Sequence, residues 1–163
     1  IHRLDRETAG VVLISKYVES RGLYQQMFAT RQVQKTYHAI AAYKADLEFP
    51  LITRLRMEKG QPFYTMQVVN GEANSETAIQ LLEHNKEWAK YELKPHTGKQ
   101  HQLRVHLNHL GIPIQNDPFY PRIAHKAEDD FSAPLSLLAQ HIQFIDPITQ
   151  KSMNFSSRLE LTL

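Results

Sequence analysis

Two runs of alternating apolar and polar residues, Ser75 to Glu83 and Trp88 to Leu93, flank the turn-forming triplet His84-Asn85-Lys86. A period of two puts every second side chain on one face of a strand, and a short polar turn between two such runs folds them into an antiparallel hairpin. Two strands cannot bury a core alone, so the hairpin has to be extended into a sheet. The segment QKTYHAIAAY, Gln34 to Tyr43, supplies a further strand, with Thr36, His38 and Ile40 on one face and Lys35, Tyr37, Ala39 and Ala41 on the other.

The rest of the chain adds strands and a few helices. GVVLIS, Gly10 to Ser15, is a β-branched run that reads as a buried strand. Lys16 to Arg31 reads as a helix with Leu23, Tyr24, Met27 and Phe28 on one face. Pro50, Gly60, Pro62 and Gly71 divide the next stretch into two short strands, near Ile52 to Met57 and Phe63 to Val69. Thr97-Gly-Lys-Gln100 fits a capping box, which predicts a helix from there to Leu110, closed by Gly111 and barred from resuming by Pro113. Leu103, Leu107 and Leu110 form its buried stripe. Residues 116 to 134 carry three prolines and the acidic run Glu128-Asp129-Asp130 and read as irregular; Leu135 to Phe144 and Ser152 to Phe155 then pair as strands around the turn at Asp146. The expected fold class is α+β: one domain over residues 1–163, with a mixed, mainly antiparallel sheet and a few helices packed on it.

Composition narrows the chemistry. With 163 residues and 42% hydrophobic content the chain has the makings of one ordinary core, and no apolar run approaches the ~20 residues of a membrane span. A soluble monomer with no membrane partner is expected, with cytoplasm as the default location. The absence of cysteine excludes disulfides, thiolate metal sites and cysteine nucleophiles. The net charge of +2 matters less than where the cations cluster.

Three stretches concentrate polar groups against apolar neighbours: HRLDRETAG at 2–10, QKTYHAIA at 34–41 and PHTGKQHQLRVHLNHLG at 95–111. In the third, Arg104 shares a helical face with Gln100, His101 and Asn108, away from the leucines, so it either points into a cleft or lies on a solvated face. His101, His106 and His109 crowd that helix at spacings of five and three, without the i, i+4 pair and nearby carboxylate that a helical metal site needs; no metal is expected. Lys99, His96 and His101 at the helix start suit an anion such as a nucleic-acid phosphate. No Gly-rich phosphate loop and no nucleophile elbow is present, which disfavours a nucleotide cofactor and serine chemistry. A carboxylate nucleophile or base remains, and Asp5, between Arg3 and Arg6, has the most pointed surroundings. Glu7, the nearest competitor, reads as an exposed loop residue.

These blocks resemble a known family. HRLDRETAG is similar to the HRLDxxTSG signature of the RluA-type pseudouridine synthases, QKTYHAIA to their K-x-Y-x-A block, and TGKQHQLRVHLNHLGIPIQND to their third block. The closing LLAQHIQFIDPITQKSMNF resembles the family's last strand pair. The resemblance implies the pseudouridine synthase fold, lacking the strands that members carry upstream of HRLD. It implies an enzyme that isomerises uridines in ribosomal or transfer RNA to pseudouridine without cofactor or metal, after flipping the base out of its stack. On the same resemblance Asp5 is the nucleophile, Arg104 its charge partner, and Tyr37 the residue against the base with a proton-transfer role. Arg3 is the cation that enters the RNA helix. His2, Thr8, Lys35, Lys99, His101 and Gln102 complete the expected substrate contacts. Four positions depart from the family pattern: Ala9 for serine, Lys99-Gln100 for Arg-Thr, and Leu138 where many members have histidine. The alternative readings are a catalytically inactive RNA-binding module of the same fold and a metal-dependent phosphoesterase using the helix histidines.

Overall fold

A computed structural model describes residues 1–163. One eight-stranded sheet dominates it. Its strands are β1 (Ala9–Gly10), β2 (Gln34–Ala42), β3 (Leu51–Lys59), β4 (Met66–Val69), β5 (Ser75–His84), β6 (Trp88–Pro95), β7 (Leu137–Ile145) and β8 (Ser152–Ser156). Helix α1 (Val18–Ala29) follows β1, and α2 (Gln102–His109) follows β6. The strand order is β1-β7-β2-β6-β5-β3-β4, with β8 also on β7. Every pairing is antiparallel except β1 with β7, so the sheet is mixed and mainly antiparallel, as the alternating segments predict.

The β5–β6 hairpin forms about its expected turn, where the Asn85 side chain accepts from the backbone of Glu87 and Trp88. Both strands run slightly longer than the alternation suggests. Ala39, Tyr91 and Leu93 on β2 and β6 meet Leu103, Leu107 and Ile112 of α2 and its exit in the larger core. Burying each of the larger side chains is worth about 1.5–3 kcal/mol. A smaller core joins Met27 and Val33, at and after α1, to Ile142 and Phe144 of β7. Within α1, Tyr24, Met27 and Phe28 serve that core, whereas Leu23 turns outward.

The run GVVLIS is not the long strand its composition suggests. Only Ala9 and Gly10 pair, with Leu138 and Ala139, and the Val11 N–H makes the last bond, to the Ala139 carbonyl. The reason is competition for one edge: from His141 onward that side of β7 is taken by β8. Val11 and Leu13 leave the ladder and pack on the smaller core instead. Gly10 makes the close approach. Its φ is +116°, and a Cβ there would sit 2.2 Å from the Ala139 carbonyl oxygen, so only glycine fits.

The capping box is also replaced. Helix α2 starts at Gln102, after His101 in the left-handed region with φ 54°, and no side chain caps it. Thr97 Oγ1 accepts from the Glu76 N–H and donates to Gln102 Oε1, not to a partner at Gln100. Residues 98–101 thereby become a loop at the head of the helix. At the other end Gly111 adopts φ +79°, as expected for a helix stop. Strand β4 begins only at Met66, because residues 61–65 form a turn closed by Gly60 N–H to the Thr65 carbonyl.

Candidate active site

A cleft of about 370 Å³ lies where the loop before β1, the first half of β2 and the loop entering α2 meet. That volume is within the range of small-ligand sites, ~300–1,000 Å³. The three polar stretches of the sequence converge on it, although they lie up to a hundred residues apart in the chain. Asp5 is the only carboxylate in its lining, against the cations Arg3, Lys35, Lys99 and Arg104.

Asp5 is fixed by its own turn, in which the Thr8 N–H donates to the Asp5 carbonyl at 3.0 Å, and by Arg104 Nη1, which donates to Oδ2 at 3.0 Å. Its other oxygen, Oδ1, takes no bond from the protein, and the side chain keeps 27% exposure. Arg104 is only 4% exposed, so the solvated-face reading does not hold. Its remaining donors go to Asp117, with Nε to Oδ2 at 2.9 Å and Nη2 to Oδ1 at 2.7 Å. Asp117 Oδ1 in turn accepts from the backbone N–H groups of Phe119 and Tyr120. The rings of those two residues stand 5.0 and 5.4 Å from the guanidinium carbon, near enough for cation–π attraction. Burial works against the charge on Arg104, but the hydrogen bond and charge of Asp117, with Asp5 added, hold its pKa above the usual value.

Tyr37 lines the cleft from β2, one residue past a shift in the β2–β7 register. Burial first, and the charge of Asp5 second, push its hydroxyl up to about 12, so it stays protonated at any physiological pH. Lys35, on the same strand, has its pKa lowered by burial. Thr8 places its hydroxyl oxygen at the cleft, buried and without a protein partner. Arg3 is exposed at the mouth, and Lys99 lies on the loop before α2. His101 Nδ1 is 2.8 Å from the Tyr120 hydroxyl, which accepts from the Met66 N–H and so has its own proton to give the ring. Burial, then Arg104, lowers the His101 pKa, in keeping with a neutral ring.

Two expected contact residues are engaged within the protein. His2 lies outside the cleft, stacked on Phe28 at 4.9 Å and accepting from the Leu13 N–H; burial followed by the charge of Lys35 lowers its pKa to about 4. It is a neutral packing residue that anchors the segment after β1. Gln102 lines the cleft, but its amide is saturated: Nε2 donates to the Glu76 carbonyl and Thr77 Oγ1, and Oε1 accepts from Thr97 and the Lys99 N–H. With two donors and two lone pairs spent, it shapes the loop and has nothing left for a ligand.

Glu7 is not the exposed loop residue its neighbourhood suggests. Its side chain is 4% exposed, accepting from Lys126 Nζ at 2.7 Å and from the Leu135 N–H at 3.3 Å. It fastens the Asp5 loop to the irregular segment before β7. The helix histidines point apart, His101 to Tyr120 and the fully buried His106 to Ser75 at 2.8 Å, and nowhere do three metal-ligating side chains gather. The residues missed from the sequence are Asp117, Phe119, Tyr120 and Lys126. Asp117 had a signal, as the last letter of the QND that closes the third block, but no periodicity links a loop carboxylate to an arginine thirteen positions earlier.

Comparison with known proteins places the chain in a family and a fold. The sequence pattern of the family described as RNA pseudouridylate synthase matches residues 1–109. The ribosomal large subunit pseudouridine synthase C of Vibrio cholerae is 30% identical over 100% of this chain and 52% of its own length. The dual-specificity RNA pseudouridine synthase RluA of Pasteurella multocida is 32% identical over 96% of this chain and 71% of its own. The chain thus spans about half the length of the first of these relatives. Among solved structures, human RNA pseudouridylate synthase domain containing 4 superimposes with a TM-score of 0.74 at 26% identity, covering 98% of this chain and 70% of that one. No helix is long and apolar enough to cross a membrane.

Proposed function

Because this chain belongs to the RNA pseudouridylate synthase family, we propose that it isomerises uridine in structured ribosomal or transfer RNA to pseudouridine, with Asp5 as the attacking group. The observation that carries the reading is the state of Asp5, the sole carboxylate of a cationic cleft, held through Oδ2 and free at Oδ1. A carboxylate so placed can attack C1′ of a flipped nucleotide, or take the 2′ proton on a glycal route, as the N1–C1′ bond breaks. The freed uracil turns, and C5 bonds to C1′ as the Asp5–C1′ bond breaks or, on the glycal route, as the 2′ proton returns to C2′; the C5 proton then leaves and N1 gains a proton. No atoms are added or lost overall, and no oxidant or reductant is consumed.

The surrounding groups have distinct work in this scheme. Arg104 orients Asp5 through one Nη1 donor, while Asp117 fixes the guanidinium. Tyr37 presents a flat face to the base and a hydroxyl that stays protonated, suited to relaying a proton and unsuited to serving as a pre-ionised base. Arg3, unpaired at the mouth, is free to fill the stack that the uridine leaves. Lys35 and Lys99 meet the phosphates.

Tritium release from C5-labelled uridine in RNA tests the reading. Asp5→Asn is expected to abolish release and leave RNA affinity within a few-fold. Release at the wild-type rate from that variant would remove Asp5 as nucleophile.

A further inference from the structure

Behind the Pro95–Gly98 wall of the cleft lies a second cavity, about 520 Å³, that shares Lys35, Pro95, Thr97 and Gly98 with the first. All its ionisable lining residues are basic: Arg31, Lys35, Lys94, His96 and His141. Between these basic residues the walls are mainly uncharged polar groups, including Gln34, Thr36 and Gln143, with one carbocyclic aromatic ring, Phe28. The catalytic cleft, by contrast, carries Asp5.

Lys35 stands at the junction. The residue is half-buried, no side-chain hydrogen bond or ion pair holds its ammonium, and burial lowers its pKa. Gly98 lies alongside it, and a Cβ there would stand at an ordinary contact distance of 3.7 Å from Lys35 Nζ. An ammonium with three donors and no acceptor is suited to an anion that arrives from outside. Beyond it, Arg31 forms no ion pair, and Lys94 is held only loosely, its side chain 56% exposed and 3.6 Å from Glu92. His96 and His141 are more committed, to Glu76 and to Ser156 and Asn154.

We infer that this second cavity is a groove for the RNA backbone, carrying the strand next to the target uridine, with Lys35 on the phosphate at the threshold between groove and cleft and Arg31 and Lys94 on those beyond. The inference rests on RNA being the substrate, as proposed above. A row of cations with a single aromatic ring reads phosphates and not base identity, so the groove adds affinity and register without sequence preference.

The test is binding of the full chain to a fluorescein-labelled synthetic RNA stem-loop with uridines in its loop, titrated over a range of salt concentrations. The double variant Arg31→Ala/Lys94→Ala is compared with Lys86→Ala/Lys151→Ala, which removes the same charge from exposed turns elsewhere. Groove binding predicts roughly a tenfold loss of affinity for the first pair and a slope of log K against log salt shallower by about 1.4, at ~0.7 per phosphate of single strand. The second pair should stay within about twofold of wild type, since it leaves those phosphate contacts in place. Equal behaviour of the two pairs, whether both weaken or neither does, overturns the groove. Uridine isomerisation is scored separately on the wild-type chain, so groove-dependent binding without turnover would support the groove and reject the enzymatic reading.

Discussion

Arg104 and Asp117 form a two-point ion pair in which both side chains are almost wholly removed from water, 4% and 1% exposed, with bonds of 2.9 and 2.7 Å. The guanidinium therefore reaches Asp5 already oriented, with Nη1 turned toward it.

Asp117→Asn should accordingly do two kinds of damage. It leaves the buried guanidinium under-compensated, which costs about 3–5 kcal/mol when one partner of such a pair is removed. It also frees Arg104 to swing, so turnover should fall even at temperatures where the variant is fully folded. Urea unfolding followed by tritium release on the folded fraction measures both, and wild-type turnover in the folded variant would show that Arg104 needs no such anchor.

Tyr37→Phe keeps the flat ring and loses the hydroxyl. Release of the C5 proton should drop by ~10²–10⁴, the usual contribution of a positioned acid–base group, with RNA affinity changed little. The wild-type rate should also show no alkaline inflection from this tyrosine below its value of about 12. Undiminished release by the phenylalanine variant would exclude the proton role.

Acid should weaken the fold through His106. Burial, with His109 second, lowers its pKa to about 4, against about 6.5 in the unfolded chain. Between those values the unfolded state holds more protons, so stability is intact above about pH 6.5 and is lost as pH falls toward 4, by on the order of 3 kcal/mol in full. His2 adds in the same direction. Thermal midpoints at pH 7 and 4.5 should separate less in His106→Gln than in wild type; the same separation in both would assign the acid loss to other groups.

Glu7→Ala removes the acceptor of Lys126 and of the Leu135 N–H together. The expected loss is about 1.5–3 kcal/mol, the scale of hydrogen bonds to charged groups. Because Glu7 is two residues from Asp5, turnover should fall more steeply than RNA affinity. Calorimetry and tritium release on one preparation decide this, and a purely thermal effect would confine Glu7 to holding the fold.

Where the physics is local, the sequence is a reliable guide. The β5–β6 hairpin, the β2 alternation and the Gly111 helix stop all follow from period or backbone freedom within a few residues, and each is found. The failures share one cause, which is competition from groups far along the chain. GVVLIS had the composition of a strand, but β8 holds the edge it would need. Thr97 and Gln100 had the letters of a capping box, but Glu76 and Gln102 claim the threonine hydroxyl. Glu7 looked solvated because Lys126 lies 119 positions away. For the site, motif resemblance pointed to Asp5, Tyr37 and Arg104, whose side chains meet around one cleft; it covered Asp117 without giving it a role, and it said nothing of the saturated state of Gln102.

The two-residue parallel strand Ala9–Gly10 has a consequence for the order of events in folding. It pairs with Leu138–Ala139, Asp5 meets Arg104 at a separation of 99 residues, and Glu7 meets Leu135 at 128. Contacts this distant carry a large loop-closure entropy and form after local hairpins. A chain still emerging during synthesis would hold the RLDR loop long before it held the groups that aim it. Activity should therefore appear late, at the closing of the sheet, which makes catalytic competence a sensor of completed folding.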